Sequence, residues 1–86
     1  MAAARKIGQI LVDLKVMQRW DVDRVLETLS RRPRYQKFGQ MAKDMGFIRE
    51  EHILAALAVQ LNLFPGITRM NLRQILQYLQ EEAVVL

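Results

Sequence analysis

The sequence contains no cysteine and only one histidine, His52. Without thiolates, neither a disulfide framework nor a cysteine-ligated metal site can form. The aliphatic hydroxyl side chains are limited to Thr28, Ser30 and Thr68, and there is no glycine-rich phosphate loop that ends in Lys-Ser or Lys-Thr. His52 directly follows two glutamates, whereas a helical metal site needs ligands one turn apart. These absences predict a protein that is not an enzyme and has no cofactor, with His52 on its solvated surface.

Long apolar stretches are also missing. No run approaches the ~18 residues of a membrane-spanning helix, and "MAAARK" lacks the apolar core of a signal peptide. A chain of 86 residues that is 51% apolar is nevertheless rich enough in hydrophobic side chains to pack one small domain. We expect a single domain over residues 1–86, without membrane insertion and in the cytoplasm.

The net charge of +4 is moderate, and most charges are interspersed along the chain. A basic cluster without acidic residues occurs in "SRRPRYQK", where Arg31, Arg32, Arg34 and Lys37 lie close together. One interpretation is a solvated basic linker over residues 30–36. The other is an anion site for phosphate, nucleic acid or an acidic protein.

The sequence repeats itself after a shift of 31 residues, which is the most informative pattern in it. Repeat one covers residues 6–29 and repeat two covers residues 37–60, and their apolar positions also correspond. The identical pairs are Lys6 and Lys37, Gly8 and Gly39, Gln9 and Gln40, Asp13 and Asp44, and Leu26 and Leu57.

Each repeat predicts a short helix, a turn and a longer helix, because apolar residues recur with helical spacing on both sides of the turn. The predicted core stripes are Ile7, Ile10, Leu11 and Leu14, then Val22, Val25, Leu26 and Leu29, in repeat one, and Phe38, Met41, Ala42 and Met45, then Ile53, Ala56, Leu57 and Leu61, in repeat two. Gly46 falls where a helix end favours a left-handed residue, and Lys15 occupies the same place in repeat one at a higher conformational cost.

A further helix is predicted over about residues 71–82, with Asn71 as its N-cap. It follows a turn-rich connector, "FPGITRMN", and is expected to cover the core. The predicted fold is therefore all-α, a compact bundle of about five short helices built from two helix-turn-helix repeats plus a C-terminal helix.

Both repeats begin with lysine, an apolar residue and glycine, although glycine in a helix costs up to about 1 kcal/mol relative to alanine. Close packing between helices is one explanation. The other is an anion site, where free N–H groups at the helix start act together with Lys6 and Lys37. Two such sites in a pseudo-symmetric domain suit an anion that is itself two-fold, such as a cyclic dinucleotide.

The paired pattern resembles the N-terminal (MshEN-type) domain of type II secretion and type IV pilus assembly ATPases. That family carries two copies of R-L-G-x-x-L-V-x-x-G-L-I, four free positions, and L-x-x-x-L-x-x-Q. The segment "KFGQMAKDMGFIREEHILAALAVQ" keeps the first glycine, the turn Gly-apolar-apolar, both later apolar positions and the terminal glutamine. With the following "LNLFPG", the resemblance covers residues 6 to about 67.

The resemblance implies a non-catalytic helical domain that binds cyclic di-GMP in the best-matching members and docks onto secretion or pilus proteins in others. The ligand-binding residues that it implies are Lys6, Ile7, Gly8, Leu11, Val12, Lys37, Phe38, Gly39, Ala42 and Gln60. Both arginine positions of the pattern are lysine here, which keeps the charge but loses the planar fork of donors. The terminal glutamine of copy one is Leu29, and copy two has Ala42 and Lys43 in place of a bulky apolar pair.

Three functional hypotheses follow. The first is a regulatory domain that binds cyclic di-GMP through both motifs. The alternative is a protein-docking adaptor of a secretion or pilus system, whose partner is a machinery protein or a second copy of the chain. The third is a helix-turn-helix DNA-binding protein, suggested by "MAKDMGFIREEHILAAL". Its recognition helix would begin near Arg49, followed by two glutamates that would face DNA phosphates, so electrostatics disfavour DNA.

Overall fold

The computed structural model describes residues 5–31 and 37–85, the last four of them by their backbone alone. The described chain forms five α-helices and one short 3-10 helix, and no strand occurs within these ranges. In chain order they are α1 (Ile7–Asp13), α2 (Arg19–Ser30), α3 (Phe38–Asp44), α4 (Glu50–Gln60), the 3-10 helix (Ile67–Arg69) and α5 (Leu72–Val85). The predicted all-α bundle of about five helices is confirmed. Most of the predicted basic linker, residues 32–36, lies outside the described residues.

The repeat in the sequence is also a repeat in the structure. The starts of α1 and α3 differ by 31 positions, as do the starts of α2 and α4. Each short helix is followed, after one intervening residue, by a residue with left-handed backbone, Lys15 at φ 63° and Gly46 at φ 85°. Its N–H donates back to the short helix, to the carbonyl oxygen of Val12 in one repeat and of Lys43 in the other, both at 2.9 Å. The two turns therefore share one geometry although only one has glycine, as the sequence predicts.

The two repeats interlock. Helix α1 packs more extensively on α4 than on α2, and α2 packs more extensively on α3 than on α1. The core at this junction includes the fully buried Ile10, Leu11 and Val25. Ile75 of α5 is fully buried as well, so the C-terminal helix covers the core as predicted. Burial of apolar surface between the repeats, rather than within each, stabilises the domain.

The predicted core face of α4 is wrong in part, and so is one position of α2. Leu57 is 38% exposed, Leu61 is 68% exposed, and Leu26 of α2 is 51% exposed. Helix α4 instead buries its small residues, Ala55, Ala56, Ala58 and Val59. Since α4 is apolar on all sides, its hydrophobic periodicity does not select a face. Alanines occupy the buried face of α4 because their small side chains allow α1 to approach closely, whereas leucines would keep it farther away.

The start of α5 agrees with the predicted cap. Asn71 Oδ1 accepts a hydrogen bond from the N–H of Gln74 at 2.8 Å, and Gln74 Oε1 accepts one from the N–H of Asn71 at 2.9 Å. This reciprocal pair is a capping box. The helix begins at Leu72 and continues to Val85, three residues beyond the predicted end.

His52 lies at the surface as predicted, but it is only partly exposed. The ring is half-buried, and its Nδ1 accepts a hydrogen bond from the N–H of Arg49 at 2.9 Å. His52 therefore closes the first turn of α4, the position where glutamate usually serves in a capping box. The connector before α5, predicted only as turn-rich, contains the 3-10 helix. None of the helices in the described ranges combines the length and the apolarity that crossing a membrane requires.

Candidate functional site

A cleft of about 370 Å³ opens beside the start of α1 and the first two turns of α2. Phe38 and Gln60 of the second repeat contribute to its wall, so the cleft lies at the junction of the repeats. Its volume falls in the range of about 300–1,000 Å³ that is typical of small-molecule sites. Both repeats are therefore needed to form this candidate site.

The cleft brings together six of the ten residues that the sequence predicts to bind a ligand. Four come from repeat one and two from repeat two. They are Lys6, Ile7, Gly8, Val12, Phe38 and Gln60. This set joins residues that are as much as 54 positions apart in the chain.

The other four predicted residues do not line the cleft. Leu11 and Ala42 are fully buried in the core and present no surface to a ligand. Lys37 is exposed, and Gly39 is buried with Ile53, whose nearest side-chain atoms lie 3.4 Å from the position of an added Cβ. The two Lys-apolar-Gly segments thus have different surroundings.

Gly8 owes its position to close packing. A Cβ added there would lie 3.1 Å from Val22 Cγ1 and 3.2 Å from Phe38 Cζ, which is tighter than ordinary van der Waals contact. The absent side chain lets α1 approach both α2 and the ring of Phe38. Packing between helices therefore accounts for this glycine, and the same packing shapes one wall of the cleft.

The segment before α1 is fixed by two polar contacts. Gln60 Nε2 donates a hydrogen bond to the backbone oxygen of Arg5 at 3.0 Å. The guanidinium of Arg5 forms an ion pair with Asp13, at the other end of α1. Together these contacts hold Lys6, the next residue, at the edge of the cleft. The glutamine that closes the pattern in repeat two thus has a structural partner as well as a place in the cleft wall.

Five residues that line the cleft are not among those predicted from the sequence. Gln9 is one, and the others are Arg19, Val22, Asp23 and Leu26 of α2. The spacing of the last four is i, i+3, i+4 and i+7, so they share one side of the helix. That spacing was visible in the sequence. The apolar core stripe predicted for α2 contains Val22 and Leu26 but not the charged residues beside them.

The cleft combines apolar walls with an excess of positive charge. Two cations, Lys6 and Arg19, line it together with one carboxylate, Asp23. None of these three forms an ion pair with another described residue. Phe38, Val22 and Leu26 supply the apolar part of the wall. Such a surface suits an anion that also has flat or apolar parts. The described residues hold no group of three or more His, Asp or Glu that could bind a metal ion.

Comparison of the chain with known protein families, with curated proteins and with solved structures finds no match.

Proposed function

We propose that the chain is a non-catalytic regulatory domain of a secretion or pilus system and that its cleft binds cyclic di-GMP. The single observation that supports this most is the cleft itself. It gathers Lys6, Gly8, Phe38 and Gln60 from two repeats, as the resemblance to secretion and pilus ATPase domains implies. A ligand with two phosphates and two bases matches a site that has both cationic and apolar walls.

Each part of the cleft has a chemical role in this proposal. Lys6 and Arg19 neutralise phosphate oxygens. Arg19 also supplies the planar guanidinium that Lys6 lacks at the first position of the pattern, and this fork matches the O6 and N7 acceptors of guanine. Asp23 accepts hydrogen bonds from the amino group of the base. Phe38 and the aliphatic side chains beside it provide a face on which a base stacks.

Isothermal titration calorimetry with cyclic di-GMP tests the proposal. We expect micromolar or tighter binding by the natural sequence and a loss of about 10- to 100-fold in Arg19→Ala, the range of a charge-assisted hydrogen bond. Lys6→Ala is expected to weaken binding as well. Lys37→Ala is the matched control, because Lys37 occupies the equivalent place in repeat two and does not line the cleft.

Absence of heat with cyclic di-GMP at millimolar concentration would contradict the proposal. The docking adaptor is then the better hypothesis, and the exposed leucines of α4 favour it. Equal losses in Lys6→Ala and Lys37→Ala would indicate general electrostatic attraction instead of a defined site. The hypothesis of DNA binding gains no support from α4, whose outer side presents leucines and whose first turn presents Glu50 and Glu51.

A further inference from the structure

Helix α4 turns its largest apolar side chains to solvent. Leu54 is 54% exposed, and it shares one side of the helix with Leu57 and Leu61, three and seven positions later. The residues of α4 that face the core are alanines and Val59. A helix that is apolar on all sides is normally buried on all sides. The outer side of α4 therefore has the composition of an interface.

The apolar surface continues onto α5, where the leucines that contribute to it are partly buried. A groove of about 360 Å³ runs between the two helices and is lined by Leu54, Leu76 and Leu79, with Glu51 and Gln80 beside them. We call five leucines the leucine face: Leu54 and Leu57 of α4, Leu61 directly after it, and Leu76 and Leu79 of α5. Contiguous apolar patches of this kind mark interaction sites more often than isolated exposed leucines do.

Charges of opposite sign flank the leucine face. Glu51 lines the groove from α4, and Arg73 lies on α5 three positions before Leu76 and seven before Gln80, on the same side of that helix. Neither charge forms an ion pair with another described residue. A strongly acidic or strongly basic partner would place a like charge against one of them. A surface that carries one charge of each sign is complementary to a copy of itself.

We infer that the leucine face pairs with the same face of a second copy of this chain. In a two-fold contact, each pair of touching residues occurs twice: if residue i of one copy touches residue j of the other, then residue j of the first copy also touches residue i of the second. Glu51 facing Arg73 of the partner subunit therefore occurs twice, on the two sides of the paired leucines. None of the five leucines lines the cleft, so this inference is independent of the proposed function.

Sedimentation velocity over protein concentrations from about 1 μM to 1 mM tests the inference. We expect a concentration-dependent dimer in the natural sequence. Leu54→Gln and Leu61→Gln are each expected to weaken dimerisation more than about 100-fold, since a buried leucine contributes roughly 10- to 100-fold and a symmetric contact loses it twice. Trp20→Gln is the matched control, because Trp20 is 65% exposed on α2, which packs mainly on α1 and α3.

Charge reversal distinguishes a second copy from other occupants. Glu51→Arg and Arg73→Glu are each expected to weaken the dimer at least about tenfold, because both reversals place like charges together. An equimolar mixture of the two variants restores both opposite-charge pairs, so a heterodimer is expected to form. Far-ultraviolet circular dichroism at the lowest concentration checks that each variant is folded.

Four results overturn the inference. A monomer at every concentration means that the leucine face is free or takes a different protein. A dimer that Trp20→Gln abolishes and Leu54→Gln leaves intact uses another surface. Charge variants that dimerise as the natural sequence does, or that fail to form the heterodimer on mixing, show that Glu51 and Arg73 do not face each other.

Discussion

Replacing each of the two equivalent glycines by alanine gives opposite expectations for stability. In a helix, alanine is favoured over glycine by up to about 1 kcal/mol. At Gly39 the new Cβ meets Ile53 at 3.4–3.6 Å, an ordinary contact, so Gly39→Ala is expected to raise the free energy of unfolding by about 0.5–1 kcal/mol. At Gly8 the new Cβ meets Val22 and Phe38 at 3.1 and 3.2 Å. Overpacking of that kind costs about 1–3 kcal/mol, which offsets the gain in helix propensity.

The structure thus predicts that the two variants differ by about 1–3 kcal/mol, with Gly8→Ala the less stable. For a chain of this size, that difference corresponds to roughly 4–8 °C in Tm for each kcal/mol. Urea unfolding followed by circular dichroism measures the free energy directly. Equal changes in the free energy of unfolding of the two variants would refute this prediction, because they would mean that the ring of Phe38 moves aside without loss of stability. Since Gly8 lines the cleft, Gly8→Ala is also expected to weaken cyclic di-GMP binding, whereas Gly39→Ala leaves it unchanged.

Three further predictions concern the turns, the cap and the helix α4. Lys15→Gly is expected to stabilise the fold by about 0.5–1 kcal/mol, because relief of the left-handed backbone strain exceeds the entropy cost of glycine. Gly46→Lys should lower the free energy of unfolding by a similar amount. Urea midpoints that shift in the same direction for both would contradict this. Asn71→Ala should lower the free energy of unfolding by about 1 kcal/mol and raise the rate of amide hydrogen exchange in the first turn of α5. An unchanged exchange rate there would contradict this prediction. Ala56→Leu should cost about 1–3 kcal/mol by overpacking, whereas Leu61→Gln should change stability by less than about 0.5 kcal/mol in dilute solution. If Leu61→Gln destabilised the protein more than Ala56→Leu did, the leucines of α4 would face the core and the helix would be rotated about its axis.

Helix type and position followed from local signals in the sequence. The left-handed position shared by Lys15 and Gly46 and the Asn71 cap each depend on residues within a few positions of one another. Short-range signals of that kind are decided by sterics and by local hydrogen bonds. For that reason they were predictable without knowledge of the packing.

The face that each helix buries was less predictable. The sequence of α4 places apolar residues on every side, so only its contacts with α1, α5 and the other neighbouring elements decide between alanines and leucines. Likewise, Leu26 belongs to an apolar stripe but opens into the cleft together with Arg19 and Asp23. Such choices depend on which helices become neighbours, and here the neighbours come mainly from the other repeat. Tertiary packing therefore overrides a pattern that fits two orientations equally well.

The interlocking of the repeats also explains why two similar motifs contribute different residues to the candidate cleft. Phe38 of repeat two packs against Gly8 of repeat one, and Gln60 reaches the backbone oxygen of Arg5. Each glycine also packs against the equivalent residue of its own repeat, Val22 for Gly8 and Ile53 for Gly39. The ring of Phe38 is the additional close neighbour of Gly8. A two-fold ligand would meet an asymmetric site, with repeat one supplying the cations Lys6 and Arg19 and repeat two supplying the ring and the amide.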